Sequence, residues 1–394
     1  MERLVPSTAS KVALVYAPVD RSIAGMLTLS IIARLPLAMF SIALLVHAQR
    51  LTGSFAAAGL VTAAYAIALG VGGPLLGRVV DRRGQTAVLA ASASVSLALL
   101  FVVALIPVPL GVLVALAAGI GCTTPPVGAC VRSLLRDPRA FAVEASAVEL
   151  CWIFGPPLAL GVGALFSTGA ALVGAGALLL AGTVAFAAHP ASRAWRPQPR
   201  ERAGSLSSPA LRMLIVVMGA VGAIFGATEI GLTAATEALG ATAAAGPLLG
   251  VWGVGSLLGG VWLARRGGAA PLVPLLGVLT VGHAALSVAA VNVFALACVL
   301  LPAGAAIAPT YAVVYSLVER SAPAGTITEA FAWLATAVSV GAALGAAAAG
   351  PVADALGPSA VFALAGAAGA VGLAAGCARA RTPAPRRFMS HPFL

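Results

Sequence analysis

Twelve apolar runs, each long enough to cross a bilayer core, follow one another along the 394-residue chain with little between them. A helix needs about 20 mostly apolar residues to cross the hydrocarbon core. The runs read as 22–47, 54–77, 86–106, 109–131, 141–166 and 170–188, then 211–236, 243–264, 270–291, 293–317, 326–350 and 357–378. Inside lipid every backbone polar group needs a partner within the chain, so such runs fold as helices. Only 9% of residues are charged, against about 25% in a domain whose surface faces water. That excludes a soluble enzyme and a nucleic-acid-binding protein, in spite of a net charge of +11. The expected fold class is an all-α polytopic membrane protein, with twelve transmembrane helices in two pseudo-repeated six-helix halves.

The polar stretch 189–209 divides the chain. It predicts a cytoplasmic N-terminal tail over 1–21, a six-helix half over 22–188, a cytoplasmic central loop over 189–209, a second six-helix half over 210–378 and a basic cytoplasmic tail over 379–394. The two halves repeat. At an offset of 187, Ala56-Ala57-Ala58-Gly59 falls on Ala243-Ala244-Ala245-Gly246, Tyr65 on Trp252, and Gly72-Gly73 on Gly259-Gly260. At an offset of 183, Arg82-Arg83-Gly84 falls on Arg265-Arg266-Gly267, and Gly121, Pro126, Ser133 and Leu134 meet Gly304, Pro309, Ser316 and Leu317. Repeats of this kind build many secondary transporters around a central site.

Of 23 Lys and Arg residues, 20 fall in the tails or in loops after even-numbered runs, and Arg212 is the second residue of the seventh run, on the same face. Arg34 and Arg50 are the exceptions. The positive-inside rule makes that face cytoplasmic, with both termini inside. The first run follows Arg21, is long enough to span and has no cleavage site after it, so no signal peptide is expected. The five cysteines lie in or beside apolar runs without a CxxC or Cys/His cluster, and read as free thiols. Neither a GxxxxGK[ST] phosphate loop nor a nucleophile or metal spacing is present, so no ATP-driven export, enzymatic activity or cofactor is expected.

After the second run the chain reads Gly77-Arg-Val-Val-Asp81-Arg82-Arg83-Gly84-Gln85. This resembles the loop signature of the major facilitator superfamily, Gly-x-Leu-x-Asp-Arg/Lys-x-Gly-Arg-Arg. Gly77, Asp81, Arg82 and Gly84 match, while Gln85-Thr86 replaces the final basic pair. The resemblance implies a conformational latch in which Gly77 permits close helix approach and Asp81 joins a charge cluster. In the fifth run, Gly155-Pro156-Pro157 followed by Gly161 and Gly163 is similar to the Gly-Pro signature of antiporter branches; Cys151 stands where that pattern often has glycine. The segments Arg34-Leu-Pro36, Gly155-Pro-Pro and Thr328-Glu329-Ala-Phe-Ala-Trp333 resemble actinobacterial drug-efflux-like members. The resemblance also implies that runs one, four, seven and ten line a central cavity, with two, five, eight and eleven between the halves.

Charge inside a span is costly and marks function. Glu149 lies ten residues past Arg139 and Glu329 nine past Arg320, about 15 and 14 Å along a helix. The two acids are therefore expected at equivalent mid-membrane depth. Arg34 in the first run shares a helix face with Ser30 and Ser41, and Glu229 in the seventh pairs similarly with Thr233 and Thr236. A desolvated carboxylate can load and release a proton near neutral pH, so Glu149, Glu329 and Glu229 are the proton-coupling candidates; Glu229, further toward the outer face, reads equally as an interfacial carboxylate. Arg34 reads either as a cavity charge or as the counter-ion of Glu149 or another acid. Glu144 is close enough to the membrane surface to snorkel. Trp152 and Trp333, near their glutamates, and Tyr65 and Trp252 are candidate substrate-binding aromatics or plain packing residues. The single His283 reads as structural, and His47 as a terminal or loop residue.

These features together point to a secondary active transporter, a monomer in a bacterial plasma membrane. It is expected to export small amphiphilic or cationic compounds against protons by alternating access. Its partners are then a small-molecule substrate, protons and the bilayer, with no nucleic acid. An importer or facilitator of a polar metabolite is the alternative within transport. A non-transporting sensor or assembly factor on the same scaffold is the alternative outside it, and four charges within the spans argue against that.

Overall fold

The computed structural model describes residues 21–53, 55–199, 204–241 and 244–381. Most of both expected tails (1–20 and 382–394) therefore lies outside the described residues. Among the described residues the protein is entirely helical, and twelve helices are long and apolar enough to cross a membrane. In chain order spans 1–6 are Ile23–Thr52, Ala57–Arg83, Gln85–Leu105, Leu110–Leu134, Pro138–Leu165 and Thr168–Ala188. Spans 7–12 are Pro209–Ala238, Ala245–Arg265, Leu272–Ala289, Val293–Ser321, Ile327–Leu356 and Pro358–Ala378. Several helices run past the expected apolar limits. Span 2 continues to Arg83, so Gly77, Asp81 and Arg82 lie on a helix and only Gly84 is in the turn.

Spans 4 and 10 are each broken into two helices. Leu110–Thr123 stops before Pro125-Pro126 and resumes as Val127–Leu134, since a proline has no N–H to give and disfavours helical backbone before it. Val293–Gly304 gives way to Ile307–Ser321, with Pro302 before the break and Pro309 just after it.

The repeat is visible in packing and backbone. A Cβ on Gly121 would strike the Tyr65 carbonyl, and one on Gly304 would strike the Trp252 carbonyl; these pairs are equivalent under the two offsets. Gly72 meets Cys122 as Gly259 meets Ala305. Gly84 and Gly267, which close the turns after spans 2 and 8, have φ of +96° and +95°. Only glycine adopts that conformation without strain.

The halves meet along spans 2 and 11 and along spans 5 and 8. The largest buried core runs across both halves at the arginine-rich end, where Val131, Leu135 and Phe141 join Tyr315 and Phe331. Farther from that end there are also separate cores: Phe40, Leu44, Tyr65 and Leu113 in the first half, and Ala227, Val361 and Ala365 in the second. The molecule is thus closed at its basic end.

Candidate functional site

The closure begins at span 11. Thr326, its N-cap residue, gives no side-chain bond to the free N–H groups of the first turn. Asp81 of span 2 supplies the missing acceptors. It takes the Thr328 N–H at 3.1 Å and the Glu329 N–H at 2.9 Å, and its charge suits the positive end of the helix dipole. Arg78 donates to Glu329 at 2.9 Å. Gly77 is where the backbones come closest, since a Cβ there would stand 3.1 Å from the Glu329 Cα. Arg82 is exposed.

Glu329 is therefore in the first turn of span 11, at the basic end and not at mid-membrane. The expected depth counts from Arg320, but Arg320 closes span 10, and a new helix starts at Ile327. Trp333 shares the helix face of Glu329 and of Thr336, which donates to the Gly70 carbonyl at 2.6 Å. That face is the one turned toward span 2.

A second charge group lies near the start of span 5. Glu144 is fully buried and accepts from Arg34 of span 1 and from Arg132 of span 4, the latter at 3.1 and 3.2 Å. Both arginines are buried. Glu144 does not snorkel, because the two guanidiniums hold it inward. Arg34 is the counter-ion of Glu144, not of Glu149. Gly128 gives the guanidinium room, with its absent Cβ only 3.2 Å from the Arg34 Nε. Arg132 also lies over the Tyr315 ring, 4.1 Å from its centroid. The apolar run ends before Arg132 and predicts a loop there, although the helix continues through it to Leu134. The aliphatic pair Leu134-Leu135 after it was the available signal.

Glu149 stands eleven residues into span 5 from Pro138, about 16 Å from the basic end. The Ser256 hydroxyl of span 8 donates to its carboxylate at 2.8 Å, across the two halves. Among the described residues no cation pairs with it. Tyr311 and Tyr315 of span 10 lie within its electrostatic reach. An aromatic cluster continues from there: Phe225 stacks on Tyr311 at 6.3 Å and meets the edge of Trp252 at 5.1 Å.

Glu229 lies one turn beyond Phe225 on span 7, hence on the face turned toward spans 8 and 10. Its side chain is exposed. It stands 20 residues past Pro209, about 30 Å from the basic end and near the opposite end of the bundle. Trp152 is 60% exposed. It sits three turns from Phe141 on the same face of span 5, and Phe141 contacts Tyr315 and Phe331. That face is the one turned toward spans 10 and 11.

Tyr65 is buried in the first-half core with its ring edge-on to Phe40; it packs and does not face the opening. Trp252 is also buried, and its indole donates to His283 Nε2 at 3.2 Å. The His283 Nδ1–H then donates to the Leu279 carbonyl at 2.7 Å, which fits a structural histidine. His47 is not a loop residue: it is buried in span 1 between Thr168 and the Val103 carbonyl. Gly155 packs against Ala38 of span 1, beside Pro156 inside span 5. The five cysteines are free.

The sequence pattern of the Major Facilitator Superfamily matches residues 26–328. No curated protein is similar enough in sequence to match the chain. Solved structures with a similar fold include a bacterial homologue of the iron transporter ferroportin in its outward-facing state, 15% identical, with a TM-score of 0.72 over 91% of this chain and 99% of that one. The human organic anion transporter MFSD10 (TETRAN) is 17% identical, with a TM-score of 0.71 over 91% and 100%. The E. coli fucose:proton symporter FucP is 16% identical, with a TM-score of 0.67 over 91% and 98%. At these identities the likeness is one of fold.

Proposed function

Since the chain belongs to the Major Facilitator Superfamily and is one of its multi-pass membrane transporters, we propose that it exports small amphiphilic or cationic compounds in exchange for protons. It does so as a monomer in a bacterial plasma membrane. The basic face is then cytoplasmic by the positive-inside rule, with both termini inside, and the end closed by spans 2 and 11 is the cytoplasmic one.

The observation that carries this reading is Glu149, an acid in the seam between halves whose partner is a neutral hydroxyl. An arginine partner would hold the carboxylate ionised, as two arginines hold Glu144. With only Ser256 beside it, Glu149 can take up and lose a proton as the seam between spans 5 and 8 opens and closes. Glu229 and the aromatic groups of Phe225, Tyr311 and Trp152 give the opening an acidic and aromatic lining, which suits an organic cation. Glu329 serves the latch with Asp81 and Arg78. The latch releases when the halves rock. The outward direction of transport rests on the resemblance of Gly155-Pro156 to antiporter branches.

The test uses purified protein in liposomes under an imposed pH gradient, with a panel of amphiphilic cations. The reading expects compound movement opposite to proton flow. Failure of every compound to move would sink it. Movement of a compound in the same direction as protons would make the protein a symporter, and the export reading would fall.

A further inference from the structure

The two residues that depart from the superfamily signature have a structural role of their own. Gln85, almost fully buried at the start of span 3, donates to Ser133 Oγ at 3.0 Å and to the Cys130 carbonyl at 3.3 Å. Its carbonyl accepts from Ser192 at 3.0 Å. Ser192 is buried in the short helix Pro190–Ala194 that follows span 6. That helix is therefore pinned to spans 3 and 4 through one amide side chain. Thr86, the next residue, donates to the Ala187 carbonyl of span 6 at 3.4 Å.

Between these contacts lies a groove of about 330 Å³, lined by Thr86 and Ala90 of span 3, Val184, Ala187 and Ala188 of span 6, and Arg193. Thr86, Val184, Ala188 and Arg193 are all exposed, so the groove opens on the outer surface of the bundle and not on the cavity. Its walls are apolar apart from one hydroxyl, and its mouth carries a cation. Arg193 directly follows the buried Ser192, which fixes the backbone that presents the guanidinium. Trp195, half-buried two residues on, is of the type enriched where a bundle meets the lipid headgroups.

We propose that this groove is a binding site for an anionic phospholipid. The acyl chain lies between spans 3 and 6, and the headgroup phosphate pairs with Arg193. An apolar groove alone would take any lipid tail; the anchored arginine at its mouth selects for negative charge, as basic pockets between membrane helices do. The neutral Thr86 leaves the groove wall uncharged, with Arg193 its one charged lining residue.

Native mass spectrometry of the purified full chain tests this, with phosphatidylglycerol and phosphatidylcholine of matched acyl chains as probes. The wild type should retain phosphatidylglycerol preferentially. Arg193→Gln should reduce that retention about fivefold, the ratio equivalent to about 1 kcal/mol for one basic residue near the surface. Arg193→Lys should keep most of it. Ala90→Trp, which fills the groove and leaves Arg193 in place, should lower it as well. Equal retention of the two lipids by the wild type would overturn the proposal. Undiminished phosphatidylglycerol on Arg193→Gln or on Ala90→Trp would do the same.

Discussion

Arg132 and Tyr315 occupy equivalent positions of the two halves, 183 residues apart, and they touch: the guanidinium lies 4.1 Å from the ring centroid. The axis relating the halves passes close to this pair, where the repeat places a cation in one half against an aromatic ring in the other. A desolvated cation–π contact is worth up to about 2 kcal/mol. Tyr315→Leu should therefore loosen the basic end, while Tyr315→Phe should not. Spin labels at exposed positions 83 and 320 would read this as a longer distance population in the leucine variant alone. The same distances in both variants would remove the contact from the gate.

Asp81 caps a helix that begins 246 residues later in the chain, at Ile327. Loss of a capping side chain costs about 0.5–2 kcal/mol. In Asp81→Ala, amide hydrogen exchange at Thr328 and Glu329 should accelerate, while exchange at the pinned helix Pro190–Ala194 stays as it was. Unchanged exchange at span 11 would show that the cap is dispensable.

Glu144 holds two buried arginines, so its removal and theirs are not equivalent. Glu144→Gln leaves both cations without a counter-charge, a loss of roughly 3–5 kcal/mol for a broken buried pair. Arg34→Gln leaves the Arg132–Glu144 pair intact and should cost less. Thermal unfolding in detergent should rank Glu144→Gln well below Arg34→Gln. Equal midpoints would contradict the three-residue arrangement.

Small residues in span 8 differ sharply in what surrounds them. A Cβ on Gly259 would run into the Ala305 backbone, whereas one on Gly253 would meet nothing within 4 Å. Gly259→Ala should destabilise by about 1–3 kcal/mol through overpacking. Gly253→Ala should be neutral or stabilising by up to about 1 kcal/mol, as alanine favours helix. Both are measurable as unfolding midpoints, and equal shifts would count against close packing of spans 8 and 10.

The twelve spans and the repeat were legible in the sequence because lipid enforces long apolar helices and the close-packing glycines recur at fixed offsets. Gly84 and Gly267 align in the sequence and share one backbone conformation. Helix ends were less legible. Spans 2 and 4 carry arginines within their last turns, so counting charges as loop markers puts Arg132, Asp81 and Arg82 in loops and not on their helices. Glu329 is read too deep when its depth is counted from Arg320, which closes span 10, although the eleventh run begins at 326, one residue from the observed helix start. Pairing was the least legible. That Arg34 and Arg132 converge on Glu144, and that Ser256 reaches Glu149, depends on which helix faces meet across the bundle.

The central claim is that Glu149 carries the exchanged proton. Proton release on binding a transported organic cation, followed with a pH indicator in weakly buffered detergent solution, tests it most directly. The wild type should release protons on binding, and Glu149→Gln should bind the compound and release none. Undiminished proton release from Glu149→Gln would contradict the account.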